Sequence, residues 1–474
     1  MTGRVVLPDP TDLDGLRGRL GGTRQRPIGI RRIRLGTDAL EQLADDVAEV
    51  RRPGDVLVVM DRTPMRRRGV DLKASVWVTL SERFPTRGAV LGDPGEDLHA
   101  DEAASAALDA EVQGAGCIVA VGSGTITDLA KDASMRAGDI PFVVVQTAAS
   151  VNAFSDDMAV LLRNGVKRTV PSRWPDVVIA DVDVLASTPH AMHLAGFGEL
   201  CSMFTAPADW YLAHATGMDD TFDPGVVALF REGADDLLRA APRMRTVDDD
   251  PAMLAELAGR MALTGIAMGV AGRTAPLSGT EHLLSHLIDM EAAAAGRETA
   301  FHGAQVGVAS VLAATVWHDT LDRFDPMTLE TDAVASDPAA VERRVRDAFD
   351  PIDPSGRMAD ECWRDVDRKL DRWRTKRPEV AVFATDWDRH REELRALVET
   401  PDRLRTALTD AGAAATVAEL DPPARAVVVR WALTTLPLMR DRFTVVDLRF
   451  LAGDWDAATI DQLLDRSGIL EGAR

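Results

Sequence analysis

Val119-Ala-Val-Gly122-Ser-Gly124-Thr-Ile-Thr-Asp128-Leu-Ala-Lys131 is the stretch on which the reading of the chain turns. An apolar run passes through Gly-Ser-Gly into a segment of helical character with threonines at positions 125 and 127. Strands buried on both faces of a parallel sheet read as such unbroken runs. A glycine turn into a helix leaves backbone N–H groups and the positive helix end facing whatever lies above the strand, which is a seat for a diphosphate. Gly122 and Gly124 are expected to let a phosphate approach the backbone with no Cβ in the way. The third glycine of GxGxxG is missing, so the stretch by itself also reads as a plain tight turn between strand and helix.

On either side, the first 190 residues alternate short apolar runs with helical segments. Ile28 to Leu35 reads as the first strand, and Asp38 to Glu41 as a capping box opening a helix. Val56 to Met60, Ala89 to Leu91, Cys117 to Val121, Phe142 to Val145 and Val177 to Ala180 supply further strands, and Glu102 to Val112 a helix. This is an α/β layer pattern. From about Thr188 the Val/Ile runs give way to Ala/Leu-rich segments at helical spacing: Val226 to Ala241, Met253 to Ala271, Glu281 to Met290 and Val306 to Trp317. The expected organisation is an α/β domain over residues 1–187 and a helical domain over residues 188–474. Phe324 to Pro354, interrupted by four prolines, reads as a surface excursion with a helix over Val341 to Phe349.

The chain has 474 residues, 46% hydrophobic and 27% charged, and 54 Lys+Arg against 75 Asp+Glu give a net charge of −21. That length suits two or three domains of about 150 residues with ordinary cores. An acidic surface repels phosphate backbones and anionic lipid, and no extended basic patch offsets it, so nucleic acid and membrane surfaces are not expected partners. The longest nearly apolar run, Gly307 to Trp317, falls short of the roughly 18 residues that cross a bilayer. With an acidic, proline-containing N-terminus, the expectation is a soluble, unexported, cytoplasmic protein acting on a small molecule. Cys117, Cys201 and Cys362 are too scattered for a disulfide framework or a thiolate metal cluster. Only 5 of the 54 basic residues are lysine, so each lysine kept is informative.

Other segments carry candidate chemistry. In Ser278-Gly-Thr-Glu-His282-Leu-Leu-Ser-His286 the two histidines are four apart and share one helical face. His302 opens the next helix in Phe301-His302-Gly303. Two or three imidazole nitrogens with one carboxylate suit a divalent metal with open positions, a Lewis-acid site; the same spacing equally fits core or capping histidines. Glu199, in Gly196-Phe-Gly198-Glu199-Leu200, reads as an acid in the first turn of a helix, where the dipole alone favours it. Gly165-Val-Lys167-Arg168 through Arg173 is a small basic patch that either holds an anionic substrate group or is surface charge. Asp61, just after the Val56 to Met60 strand, is placed to accept ribose hydroxyls as in NAD, whereas Arg62 and Arg66 to Arg68 would suit the 2′-phosphate of NADP.

In order along the chain, GSGTITDLAK, a TAAS loop, GVKRT, IAD, AGFGEL, TAPADW, SGTEHLLSH, FHGAQVG and RDRFTVVDL resemble the glycerol-1-phosphate dehydrogenase branch of the superfamily that also contains glycerol dehydrogenase, iron-containing alcohol dehydrogenases and 3-dehydroquinate synthase. The resemblance runs from residue 117 to about 450. It implies a dehydroquinate synthase-like fold: an α/β Rossmann-like N-terminal domain and an all-α C-terminal domain, with NAD or NADP in the cleft and a divalent metal below it. Zinc is the first candidate, nickel or iron the alternatives. By the same resemblance, Gly122, Ser123, Gly124 and Asp128 fall on the diphosphate loop, and Thr147 and Ser150 on the loop near the nicotinamide. Glu199, His282 and His302 fall on the metal ligands, and His286 on a histidine facing the substrate, a candidate proton relay. A homo-oligomer is implied by analogy.

Three positions depart from that pattern. Glu199 stands where the dehydrogenases usually have Asp and the synthase branch has Glu. Asn152, following Val151, stands where an aspartate is usual, and Met203 where a lysine is usual. Asn152 and Lys167 are the candidate substrate contacts. The implied reaction is reversible hydride transfer between NAD(P)(H) and a small polyol, polyol phosphate or ketone. A sugar-phosphate cyclase or lyase using NAD transiently is the alternative within enzymes, and a non-catalytic ligand-binding protein on the same fold the alternative outside them.

Overall fold

The computed structural model describes residues 7–21, 25–93, 98–163, 166–330 and 334–473. It divides into two compact units, one of residues 1–163, 167–196 and 223–273 and the other of 164–166, 197–222 and 274–474. The division differs from the expected boundary at 187/188. The helices of 223–273 are helical in sequence yet pack with the sheet-bearing unit, and helical spacing does not tell which neighbour a helix buries its face against.

The first unit contains β1 (Arg32–Gly36), β2 (Asp55–Met60), β3 (Thr86–Val90), β4 (Ala115–Gly122), β5 (Phe142–Gln146), β6 (Met158–Arg163), β7 (Val166–Pro171) and β8 (Val177–Asp181). Six of them form one parallel sheet in the order β1-β8-β5-β4-β2-β3, and β6 and β7 form a separate two-stranded sheet. The unbroken apolar run at β4 has the expected cause. Cys117, Val119 and Val121 enter one hydrophobic cluster and Ile118 and Ala120 the other, so both faces of the strand are buried. From β2 the chain moves outward to β3, returns to β4 on the other side of β2, and continues through β5 to β8. The order therefore reverses between β2 and β4, and the crevice at their carboxyl ends is where open α/β sheets bind ligands. Asp61 follows β2 there, and the Gly122–Gly124 turn follows β4.

The main helices are α1 (Gly124–Arg136), α2 (His190–Leu200), α3 (Pro251–Ala271), α4 (Thr280–Ala294) and α5 (His302–Arg323). α2 runs across the division, which falls between Gly196 and Phe197. Helix α3 is long and apolar enough to cross a membrane by length and composition, but 89% of its apolar window is buried inside the structure. Glu256 and Arg260 divide it, and its uncharged part, Met261 to Ala271, is as long as Gly307 to Trp317, which is therefore not the longest such run on its own. The three cysteines are buried, and none is in a disulfide. The excursion after Phe324 carries a helix at Pro338–Phe349, as the periodicity predicts.

Local expectations need correction at several points. β1 begins only at Arg32, because its partner β8 begins at Val177, opposite Arg32. Asp38 makes no capping box: its φ is +62° and its side chain caps nothing, and its carboxylate instead pairs with Arg67 and Arg68. The segment 226–241 is two helices, Pro224–Arg231 and Ala234–Ala240, separated at Gly233 with φ +67°. Glu199 lies in the last turn of α2, not in a first turn.

Asp181 ties the sheet to its surroundings. Its carboxylate accepts from Asp183 and Val184 N–H, capping the short helix Val182–Leu185, accepts from Leu40 N–H at 2.9 Å and pairs with Arg67. Asp181→Ala removes a cap and leaves a buried N–H unsatisfied. It is expected to destabilise the first unit by about 2–3 kcal/mol, read as a lowered urea midpoint by circular dichroism.

Candidate functional site

The helical unit assembles its polar centre from three helix ends. Glu199 stands one residue before the end of α2, His282 in the first turn of α4, and His302 is the first residue of α5. α2 and α5 approach at their glycines. A Cβ on Gly198 would sit 2.3 Å from the carbonyl oxygen of Gly303, and one on Gly307 would sit 2.9 Å from the Cα of Gly198. With no side chains between them, the backbones come close enough to bring Glu199 beside His302. A buried carboxylate at a helix C-terminus opposes the dipole, so the dipole does not explain Glu199. Its neighbours do.

One ligand atom each from Glu199, His282 and His302 lies within 4.8 Å of the others. His282 Nε2 is 3.3 Å from Glu199 Oε1, and His302 Nε2 is 3.9 Å from Glu199 Oε2. Glu199 Oε2 is buried without a hydrogen-bond partner among the described residues. Behind the imidazoles, His282 Nδ1 lies 3.0 Å from Glu281 Oε1, and His302 Nδ1 lies 3.0 Å from Ser285 Oγ. Gln305 Nε2 donates to Asp289 Oδ1 and Ala300 O, which turns its Oε1 toward Ser285. The Ser285 hydroxyl then donates to Gln305, and its oxygen is left to accept from His302 Nδ1–H. These partners hold each Nδ1 and aim each Nε2 at Glu199, so that once the rings are neutral their Nε2 lone pairs face the carboxylate. Such outer partners fix the tautomer and orientation of metal-binding histidines.

Burial pushes the Glu199 carboxyl upward, but the His282 and His302 rings beside it outweigh this and hold it below the ordinary carboxylate range. Burial likewise pushes His282 down, and Glu199 and Glu281 overcome it and raise the ring to about 9. The centre attracts positive charge. A buried carboxylate oxygen with no hydrogen-bond partner and two oriented imidazole lone pairs are a donor set that fits a divalent cation such as Zn²⁺, with coordination positions to spare.

Distant motifs hold this centre in place. Glu281 also accepts from Gly279 N–H at 2.6 Å and from Thr205 Oγ1 at 2.8 Å. Asp209 of the TAPADW stretch accepts Thr280 N–H at 2.7 Å and Val445 N–H at 2.8 Å, joining the start of α4 to the FTVVD stretch. Burial, with Glu281 nearby, pushes Asp209 up to about 7. His286 is buried, its ring stacked on His302 at 5.4 Å and 6.3 Å from His282. Met203 is fully buried, a side chain enclosed by protein.

In the first unit, the Ser123 side chain makes no capping bond, and Ser123, Gly124 and Thr125 are partly exposed at the start of the 13-residue α1. A helix N-terminus presented in this way fits a diphosphate. The glycines also serve the protein itself: a Cβ on Gly122 would meet Ile126 at 2.7 Å, and one on Gly124 would meet Val151 Cγ2 at 2.9 Å. Asp128 is buried and accepts from Val160 N–H at 3.1 Å, so it braces β6. Thr147 and Ser150 are buried in the loop after β5, and the Thr147 carbonyl accepts from Thr188 Oγ1 at 2.6 Å. Asn152 is half-buried in the same loop, and Lys167 is half-buried on β7; Gly165 lies outside the described residues. Arg173 is bound to Asp176 at 2.6 Å. Asp61 pairs with Lys73 at 2.5 Å. Arg67 and Arg68 pair with Asp38, and further with Asp181 and Asp183 respectively.

Sequence reasoning found the three residues at the centre and missed Glu281, Ser285, Asp289 and Gln305. Glu281 adjoins His282, while Ser285 and Gln305 stand three residues after His282 and His302. That helical spacing was the available signal.

A parallel sheet whose order reverses beside a glycine turn, together with a helical unit bearing a carboxylate–imidazole centre, defines the two-domain dehydroquinate synthase-like fold. The family profile "Iron-containing alcohol dehydrogenase" matches residues 34–189. The glycerol-1-phosphate dehydrogenase [NAD(P)+] of Bacillus licheniformis is 30% identical over 304 residues, covering 63% of this chain and 73% of that protein. Its counterpart in Bacillus subtilis is 30% identical over 322 residues, covering 65% and 78%. The fold is shared with maleylacetate reductase from Agrobacterium tumefaciens, at a TM-score of 0.55 and 17% identity over 95% of this chain and 99% of that one. The chain belongs to the iron-containing alcohol dehydrogenase family, on its glycerol-1-phosphate dehydrogenase-like branch. Membership places it among oxidoreductases.

Two substitutions test the geometry. Glu281→Gln keeps the shape and removes the charge behind His282, and is expected to weaken Zn²⁺ binding by about 10-fold or more. Gly198→Ala is expected to weaken it further by prising α2 from α5. Competition with a chromogenic chelator reads both.

Proposed function

We propose that the chain is a metal-dependent, NAD(P)-linked oxidoreductase that interconverts a small polyol phosphate and its ketone, with glycerol 1-phosphate and dihydroxyacetone phosphate as the first pair to test. The observation that carries this reading is the meeting of Glu199, His282 and His302 with both Nδ1 atoms anchored behind them. The names of the relatives supply the substrate class.

Glu199, His282 and His302 would hold the cation, with zinc the first candidate and nickel or iron possible substitutes. When bound, the cation supplies Lewis-acid charge for a developing alkoxide, and the nicotinamide supplies the hydride. The residues do the rest by placement. The N–H groups at the start of α1 receive the diphosphate, and Ser123 Oγ is available to it. Asp61 keeps acceptor capacity for ribose hydroxyls. Arg67 and Arg68 are already engaged by carboxylates, which favours NAD over NADP, since a 2′-phosphate would compete for their guanidinium groups. His286, stacked on His302, exchanges the hydroxyl proton with solvent. The ring and the serine network around His302 exclude water on the buried side, while the His302 side chain keeps 25% of its surface open. Lys167 and Asn152 are the proposed contacts for the phosphate and hydroxyl groups, which suits a soluble enzyme acting on a small anion. Glu199 also fits a cyclase that regenerates its NAD⁺, and net consumption of added cofactor separates the two readings.

The test is chelation and reloading. Treatment with dipicolinate should lower NADH oxidation by dihydroxyacetone phosphate at least about tenfold, and Zn²⁺ or Ni²⁺ should restore it. His282→Ala and His302→Ala should abolish metal binding by elemental analysis. Equal background rates from chelated and reloaded protein across a panel of ketones would sink the redox reading.

A further inference from the structure

Of the few lysines in the chain, Lys131 is the most enclosed, with 0% of its surface exposed. It stands two turns into α1, beyond the glycine turn. Its Nζ donates to Ala153 O at 2.7 Å, to Met158 O at 2.7 Å and to Asp156 Oδ1, and Asp128 Oδ1 lies 3.7 Å away. The three N–H groups of the ammonium meet three acceptors. All three acceptors belong to residues 153–158, which carry the chain from the loop after β5 into β6. That loop already touches the glycine turn, where Val151 fills the space a Cβ on Gly124 would need. Ser155 Oγ donates to Ala262 O of α3 at 3.0 Å, holding the segment from its other side.

Burying an ammonium carries a large desolvation cost, and a chain that uses arginine for 49 of its 54 basic residues has kept lysine here. The geometry explains the choice. Three acceptors from one tight segment surround a compact tetrahedral donor, whereas a guanidinium is longer and planar. Burial outweighs the opposing pull of Lys131 and leaves Asp128 raised to about 7 and Asp156 to about 6.

The order of the sheet says what this brace positions. Asp61 follows β2 on one side of the glycine turn, and the 147–152 loop follows β5 on the other. A dinucleotide seated with its diphosphate on α1 puts one nucleoside on each side. The acid after β2 suits the adenosine ribose, which leaves the β5 side to the nicotinamide. We propose that Lys131 is a positioning residue that fixes the 147–158 segment, with Ser150 and Asn152, against the diphosphate helix and so sets where the nicotinamide lies. The proposal rests on the dinucleotide-binding reading above.

The experiment uses the full-length, metal-loaded protein. Lys131→Met keeps the length and removes the donors. Binding of NADH and of ADP-ribose, which lacks the nicotinamide, is measured by quenching of tryptophan fluorescence, alongside thermal melting and metal content. Lys131→Met is expected to bind ADP-ribose within about threefold of wild type, to lose about tenfold in NADH affinity, and to lower kcat more than the KM for the ketone. Lys131→Arg should not rescue it. A role confined to stability would move both ligands together with the melting temperature, and an unchanged ratio of the two affinities would overturn the proposal. Should Lys131→Met fail to fold, Asp156→Asn loosens the same brace and is expected to shift the ratio in the same direction by about threefold; no shift there overturns the proposal equally. A wild-type protein that binds neither ligand defeats the dinucleotide reading itself, a result distinct from binding with an unchanged ratio.

Discussion

A carboxylate taken out of water must be compensated, and in the helical unit that requirement falls on Glu199. Its charge is met by two imidazoles whose far nitrogens are themselves held, one by Glu281 and the other through Ser285, Gln305 and Asp289. Each link removes a degree of freedom from the next. The result is three ligand atoms, one each from Glu199, His282 and His302, facing one another. Left to itself the arrangement would keep a proton on His282; a divalent cation is the charge it is shaped to hold.

This arrangement depends on backbone approach. Gly198 and Gly307 let α2 and α5 meet with no side chain between them, so a ligand from the end of one helix reaches a ligand from the start of another. Asp209 holds the N-termini of α4 and of the Val445–Leu451 helix together. The sheet-bearing unit follows a similar logic on a different scaffold. Its glycine turn is packed by Ile126 and Val151, and Lys131 braces the neighbouring loop from below. In both units the candidate ligand-facing residues are few, and buried polar residues such as Glu281, Gln305 and Lys131 stand behind them.

The features readable in the sequence were those with a short-range physical signature. Unbroken apolar runs announced β2, β4, β5 and β8, the strands with buried interiors, and β1 and β3, with charged residues among their apolar ones, arose within a few residues of the expected segments. The histidines at 282 and 286 announced a shared helical face. The features that misled were those whose local signal is ambiguous. Asp38 has the sequence of a capping box but a left-handed backbone, and its carboxylate pairs with Arg67 and Arg68 instead of capping the helix. Glu199 reads as a helix-opening acid because a glycine-rich stretch looks like a helix start, whereas α2 had already begun at His190.

The sequence by itself determined the alternation of elements, the glycine turn at a helix start and the residue types of the centre, because each depends on periodicity and side-chain chemistry a few residues apart. Tertiary structure alone decided that the 223–273 helices pack with the sheet, that Glu199 ends a helix rather than opening one, and that Lys131 is spent on a neighbouring loop. Those outcomes depend on which surfaces meet across long separations in the chain. Backbone clearance at glycines and the satisfaction of buried charge settle such meetings, and neither leaves a local pattern to read.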